Sequence, residues 1–223
     1  FMLILTDIAS CWYLCHFSTL FYHRMLAHNH FTVVPWFERL VVLLSPFALQ
    51  GYPAGYVVVH LQHHKYADQE GDPHSPWQKG ISIFNLNYEN EVDDKTKWRM
   101  RELITDKYQQ FLHRYYFGIL FLYGLTLYLL LGLHSLIFIF LAPAFVTGFM
   151  SNVVNYVGHM PHWFGSYRSF NLNDKSANNW IWAIPSWGEA WHNNHHRFPK
   201  NSYFGQKWYE IDISGLVIKL IRV

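Results

Sequence analysis

The residues most able to do chemistry are His192, His195 and His196, in the stretch His192-Asn193-Asn194-His195-His196. Imidazole is the commonest metal ligand, and helical spacings of three and four residues put these rings on one face, where three nitrogens are expected to meet at one point. The same spacing recurs at His60, His63 and His64, and a looser pair stands at His23 and His28. Eight histidines in three boxes exceed what packing needs, since a buried imidazole without a metal must find a partner for each ring nitrogen. His159 adds a ninth, with Asn155 one helical turn before it and able to hold a metal-bound water through its carbonyl oxygen.

Nine histidines are more than one ion uses, since zinc takes about four ligands and iron about six, so two metals are implied. Structural zinc sites favour cysteine pairs, whereas all-nitrogen ligation suits iron working on O2. The two cysteines, Cys11 and Cys15, lie in an apolar stretch and read as packing residues. Asp68, Asp72 and Glu189 stand beside the boxes and are candidates to accept the second ring N–H of ligand histidines. His74 and His162 are set apart because Pro73 and Pro161 break the helical spacing beside them.

Composition says what must carry these boxes. Of 223 residues, 51% are hydrophobic and 19% aromatic, with only 14% charged, against about a quarter in an average soluble domain. That is a membrane composition, yet the mean hydropathy of −0.01 requires a sizeable polar part in water. A net charge of +2, with no basic run interleaved with aromatics, excludes nucleic acid as a partner. The chain opens on Phe1 without a charged leader and reads as a fragment rather than as a signal peptide.

Phe1 to Tyr22 is apolar apart from Asp7 and His16 and is long enough to cross a bilayer. His16 lies on the face of His23 and, with Asn152 one turn before Asn155, reads as lining an acyl channel. Val33 to Val59 is apolar but interrupted by Pro35, Pro46, Gly51, Pro53 and Gly55. If the boxes form one site, His23 and His60 share a side, so this segment must lie at the interface or dip in and return. Lys65 to Arg114 is the aqueous cap, with a charged helical run from Asn90 to His113. Tyr115 to Gly132 and Ser135 to Gly158 are two further spans, joined by a turn that puts His134 on the far side and returns Asn155 and His159 to the boxes.

Arg24, Lys65, Lys79, Lys95, Lys97, Arg99, Arg101 and Lys107 fall on the box side, which the positive-inside rule makes cytoplasmic. Lys200 to Val223 reads as an amphipathic tail on the membrane surface. The expected fold is all-α: an integral membrane helical protein with a cytoplasmic histidine-rich cap holding a dimetal site, in one domain over residues 1–223.

The chain resembles the membrane-bound fatty acyl desaturases, and within them the delta-9 type. The matching residues are His23-Arg24 with His28 and Phe31, Ala48-Leu49-Gln50-Gly51, His60 with His63-His64, and Asp68 with Asp72-Pro73-His74-Ser75-Pro76. Further on come Arg114-Tyr115-Tyr116-Phe117, Asn155 with His159, Asp174 with Ser176, Asn178-Asn179-Trp180, and Gly188-Glu189 leading into the third box and Phe198-Pro199. The resemblance implies that His23, His28, His60, His63, His64, His159, His192, His195 and His196 bind two iron ions, with Asn155 reaching a metal through water. It implies a non-haem diiron centre that uses O2 and two electrons to introduce a cis double bond into an acyl chain.

Only one helix precedes the first box, so one helix of the family pattern is expected to be missing. Leu61 and Asn29 stand where the family often has arginine, which weakens the match to a coenzyme A phosphate. An acyl-carrier-protein thioester or a lipid-linked chain gains ground as the substrate. The sequence has no haem-binding, ferredoxin-like or dinucleotide-binding motif, so electrons must come from another protein of the ferredoxin or cytochrome b5 type. A related hydroxylase or acetylenase is the nearest alternative. A metal-binding membrane protein without catalysis is the alternative of another class.

Overall fold

The computed structural model describes residues 9–10, 16–84 and 92–221. Helices dominate: α1 (Ser18–Ala27), α2 (Pro35–Leu44), α3 (Pro53–Tyr66), α4 (Pro76–Lys79), α5 (Asp94–Arg99), α6 (Arg101–Thr105), α7 (Lys107–Ser135), α8 (Ala142–Gly158), α9 (Trp180–Ala183), α10 (His192–Arg197) and α11 (Ile213–Ile221). One small correction to an all-α fold is a two-residue antiparallel pair, β1 (Ser166–Tyr167) with β2 (Asn178–Asn179). The first expected span falls mostly outside the described residues.

α1 has π-helical geometry and ends at Asn29, whose φ of 54° is left-handed. The His30 N–H returns to the Arg24 carbonyl at 2.8 Å, which turns the chain sharply between His28 and Phe31. Asn tolerates that backbone better than an arginine would, so Asn29 has a local reason to depart from the family pattern.

Pro35 and Pro53 open α2 and α3, each at a first-turn position where a missing N–H costs nothing. Leu49, with φ 50°, and Gly51, with φ 77°, then bend the Pro35–Ala48 stretch away from Pro53–Tyr66 by 79°. The expected dip at Val33 to Val59 is thus a bent helix pair.

Lys107–Gly158 is one long apolar helical stretch, broken where Gly132 takes φ 81° and ψ 178°. Tyr123 and Phe140 meet with ring centroids 5.0 Å apart. A continuous helix would hold those two positions roughly 25 Å apart, so the arms fold back as an antiparallel hairpin. Its flanks present Phe117, Phe121, Leu122, Leu129 and Leu130 outward, each more than three-fifths exposed.

The charged run from Asn90 to His113 is helical over its described residues, as expected, but it is not one helix: it divides into α5, α6 and the start of α7. Asp93 and Asp106 cap new starts, accepting from Thr96 N and Gln109 N at 3.1 and 2.9 Å. The tail is not a surface strip either. Ile218 is fully buried in a cluster with Phe17, Leu20, Tyr22, Met25, Phe31 and Val41, and Glu210 and Asp212 are fully buried ahead of it. Among its apolar positions Trp208 and Leu220 face clearly outward, and Tyr209, Ile211, Leu216 and Ile221 are half-exposed.

Candidate metal centre

The nine histidines form two groups, not three boxes. His23, His28, His60, His64 and His195 make one, and His63, His159, His192 and His196 the other; within each, the candidate ligand atoms lie within 4.8 Å of one another. The expectation that each box converges on one point is corrected by helical geometry. Residues i and i+4 are offset by about 40° around a helix, but i+3 and i+4 differ by about 100°. The i and i+4 pairs therefore stay together: His60 with His64 at 3.0 Å, and His192 with His196 at 3.0 Å between Nε2 atoms. The i+3 histidine of each box crosses to the other group, with His63 Nε2 3.1 Å from His159 Nε2 and His195 Nε2 2.9 Å from His64 Nε2. α3 on one side and α10 on the other thus each serve both groups.

Carboxylates fix the rings from behind. Asp72 meets His63 Nδ1 at 2.8 Å, Asp68 meets His159 Nδ1 at 2.7 Å, Asp174 meets His196 Nδ1 at 3.1 Å, and Glu189 meets His23 Nδ1. A carboxylate can only accept, so each of these histidines carries its proton on Nδ1 and leaves Nε2 as a bare lone pair. His63 Nε2 and His159 Nε2 then face each other, lone pair to lone pair, at 3.1 Å. That contact is repulsive unless a cation lies between.

The donor set also fits a metal by distance. The seven Nε2–Nε2 contacts run from 2.8 to 3.2 Å. With metal–nitrogen bonds of roughly 2.1 Å, nitrogens at right angles sit about 3.0 Å apart and tetrahedral ones about 3.4 Å apart. The spacing matches right-angled ligation with more positions than a closed tetrahedral zinc site offers.

The local electrostatics favour the neutral form of several of these rings and the charged form of Glu189 and Asp72. Burial pushes His28, His192, His195 and His196 well below the usual histidine range, with neighbouring histidines adding to the effect. Burial would raise Glu189 and Asp72, but His23 and Arg24 hold Glu189 down to about 2, and His63 does the same for Asp72. Neutral imidazole is the form that binds metal.

Among the other residues, Asn155 is half-buried on α8, one turn before His159, and Asn152 is buried a turn earlier. His16 belongs to neither group and stacks on Trp187 with centroids 3.6 Å apart. His113, His134 and His162 are exposed, and His74 lies outside both groups. Arg24 is not a surface cation: it is fully buried between Glu189 and Asp212. The sequence reading missed Asp174 as a histidine partner, although the Asp174/Ser176 match marked it. It also missed Glu210 and Asp212, which no local pattern distinguishes from surface acids.

Residues 3–212 match the family model of the fatty acid desaturases, and the chain belongs to that family. It is 33% identical over 216 residues to a delta-9 acyl-lipid desaturase 2 of Arabidopsis thaliana, covering 92% of this chain and 67% of that one. An sn-1 stearoyl-lipid 9-desaturase of Anabaena variabilis is 32% identical over 92% of this chain and 75% of its own. An acyl-CoA C20 delta5-desaturase of Anemone leveillei is 35% identical over 92% and 66%.

Proposed function

We propose that the chain is a single-domain, membrane-bound diiron desaturase that introduces a cis double bond into a fatty acyl chain. The observation carrying this reading is the pair of histidine groups, in each of which the candidate ligand nitrogens converge within 4.8 Å of one another, with His63 Nε2 facing His159 Nε2 at 3.1 Å. The nine histidines would hold two iron ions, with Asn155 reaching one through water. Iron bound there supplies O2-dependent oxidation: two hydrogens leave adjacent carbons, and O2 with two electrons and two protons becomes two waters.

The protein's own part is positional. Asp68, Asp72, Asp174 and Glu189 lock ring tautomers, and the burial of His63, His159, His192 and His195 keeps bulk water from the rings. The hairpin supports membrane embedding, since each arm of roughly 25 residues spans about 37 Å, beyond a hydrocarbon core of about 30 Å. The lysines and arginines on the cap side, with none in the Gly132 turn, support a cytoplasmic site. Electrons come from a separate donor of the ferredoxin or cytochrome b5 type.

The relatives are named for acyl-lipid and for acyl-CoA substrates alike, and Leu61 in place of a cation is what favours a lipid-linked chain over a coenzyme A thioester. Expression in a host of known lipid composition, followed by mass spectrometry of its lipids, tests the reading. A new cis-monounsaturated chain is expected. A hydroxyl or triple bond in its place transfers the chain to the neighbouring activities, and unchanged lipids with full iron content overturn the desaturase reading.

A further inference from the structure

Arg24 is the largest fully buried side chain, and its charge is met by two carboxylates from distant segments. Its Nε donates to Glu189 Oε1 at 2.9 Å, while Nη1 and Nη2 donate to the two oxygens of Asp212 at 2.7 and 2.9 Å. The other oxygen of Glu189 accepts a hydrogen bond from His23 Nδ1. The guanidinium also lies over the Phe204 ring at 3.8 Å, so water has no access to the chain of groups. Gly188 takes φ 101°, and a side chain there would collide with Asp212; the sequence gives up a Cβ to admit this carboxylate.

From this we infer that Asp212 is a positioning residue for the five-histidine group, acting through Arg24 and Glu189 on His23. Fixing the guanidinium with both Asp212 oxygens leaves Nε aimed at Glu189, which in turn fixes the rotation of the His23 ring. The final segment, which a linear reading places on the membrane surface, thereby becomes part of the metal site. Glu210 braces the third box in parallel, accepting from Asn194 Nδ2 at 2.8 Å.

Asp212 also caps α11, accepting from Gly215 N at 3.0 Å. Asn caps a helix as well as Asp does, so Asp212→Asn can keep its oxygen on Gly215 N and Arg24 Nη2 while it removes the charge and the second acceptor, which Arg24 Nη1 and Phe204 N use. The inference rests on the two groups each holding an iron. The test is iron titration of the full-length protein with Mössbauer spectroscopy, for wild type, Asp212→Asn, Glu189→Gln, the double variant, and Trp208→Ala as a control from the same segment.

One of the two iron equivalents is expected to bind about 10-fold or more weakly in Asp212→Asn, the usual cost of losing an outer partner of a ligand. The other equivalent and its spectrum stay unchanged. Because the two residues act in series, the double variant should be no weaker than Glu189→Gln alone, and Trp208→Ala should match wild type.

If Asp212→Asn does not fold, Arg24→Met with Asp212→Asn removes two of the three buried charges together, leaves Glu189 held by His23 alone, and should weaken the same equivalent. Equal weakening of both irons, additive effects or wild-type binding overturns the relay. A wild type holding no iron overturns the diiron reading along with it.

Discussion

At the scale of single residues, neighbours in sequence belong to different histidine groups. His63 and His64 are consecutive, yet one joins His159 and the other His60. His63→Ala and His64→Ala are each expected to abolish turnover and to lose one iron of two, but a different one, as two distinct Mössbauer components would report. Loss of the same component from both variants would show that the groups are assigned wrongly.

The pH dependence of the metal-free protein follows from the same rings. His28, His192, His195 and His196 are held neutral by burial, so below pH ~6.5 the unfolded chain binds protons that the folded chain refuses. Stability therefore falls as pH drops through ~6.5, by roughly 1.4 kcal/mol per pH unit for each such histidine. Glu189 and Asp72, depressed to about 2, contribute stability that is present above their ordinary values and lost only at lower pH. Thermal unfolding of apoprotein between pH 8 and 5.5 should show a midpoint that falls steeply below 6.5. A flat midpoint would contradict the buried neutral state.

At the scale of elements, α7 meets the helical stretch Leu136–Leu141 ahead of α8 through Gly124, Tyr123, Leu136 and Phe140, while the outer faces of the hairpin carry large exposed apolar side chains. Phe121 lies midway along α7 and is 72% exposed. Phe121→Arg should cost about 2.5–3.5 kcal/mol of membrane insertion, as for an arginine at a helix centre. A glycosylation-reporter insertion assay reads this directly, and unchanged insertion would place that face in protein or water.

For the whole molecule, the hairpin and the cap put the Gly132 turn and the α5–α6 surface at opposite ends. With Cys11 and Cys15 replaced by alanine, His134→Cys and Trp98→Cys supply one exposed thiol at each end. Membrane-impermeant maleimide added to sealed inside-out vesicles should label Trp98→Cys and spare His134→Cys. Labelling of both, or the reverse pattern, would overturn the topology.

The sequence by itself determined the donor types, their number and the helical segments that bear them. Spacing, apolar runs, Pro/Gly interruptions and cation bias are local properties, and they led to nine histidines, a bent segment and a hairpin. How the histidines divide was decided by tertiary structure, because the split depends on α3 and α10 facing each other, and a linear string carries no such angle.

The fate of the tail was decided the same way. Trp208 to Leu220 alternates as a surface helix does, yet Ile218 meets Phe17, Leu20 and Tyr22 from the far end of the chain, and Asp212 meets Arg24. Burying two acids is costly without partners. Those partners, Arg24 for Asp212 and Asn194 and Tyr167 for Glu210, come from segments that only folding brings within reach.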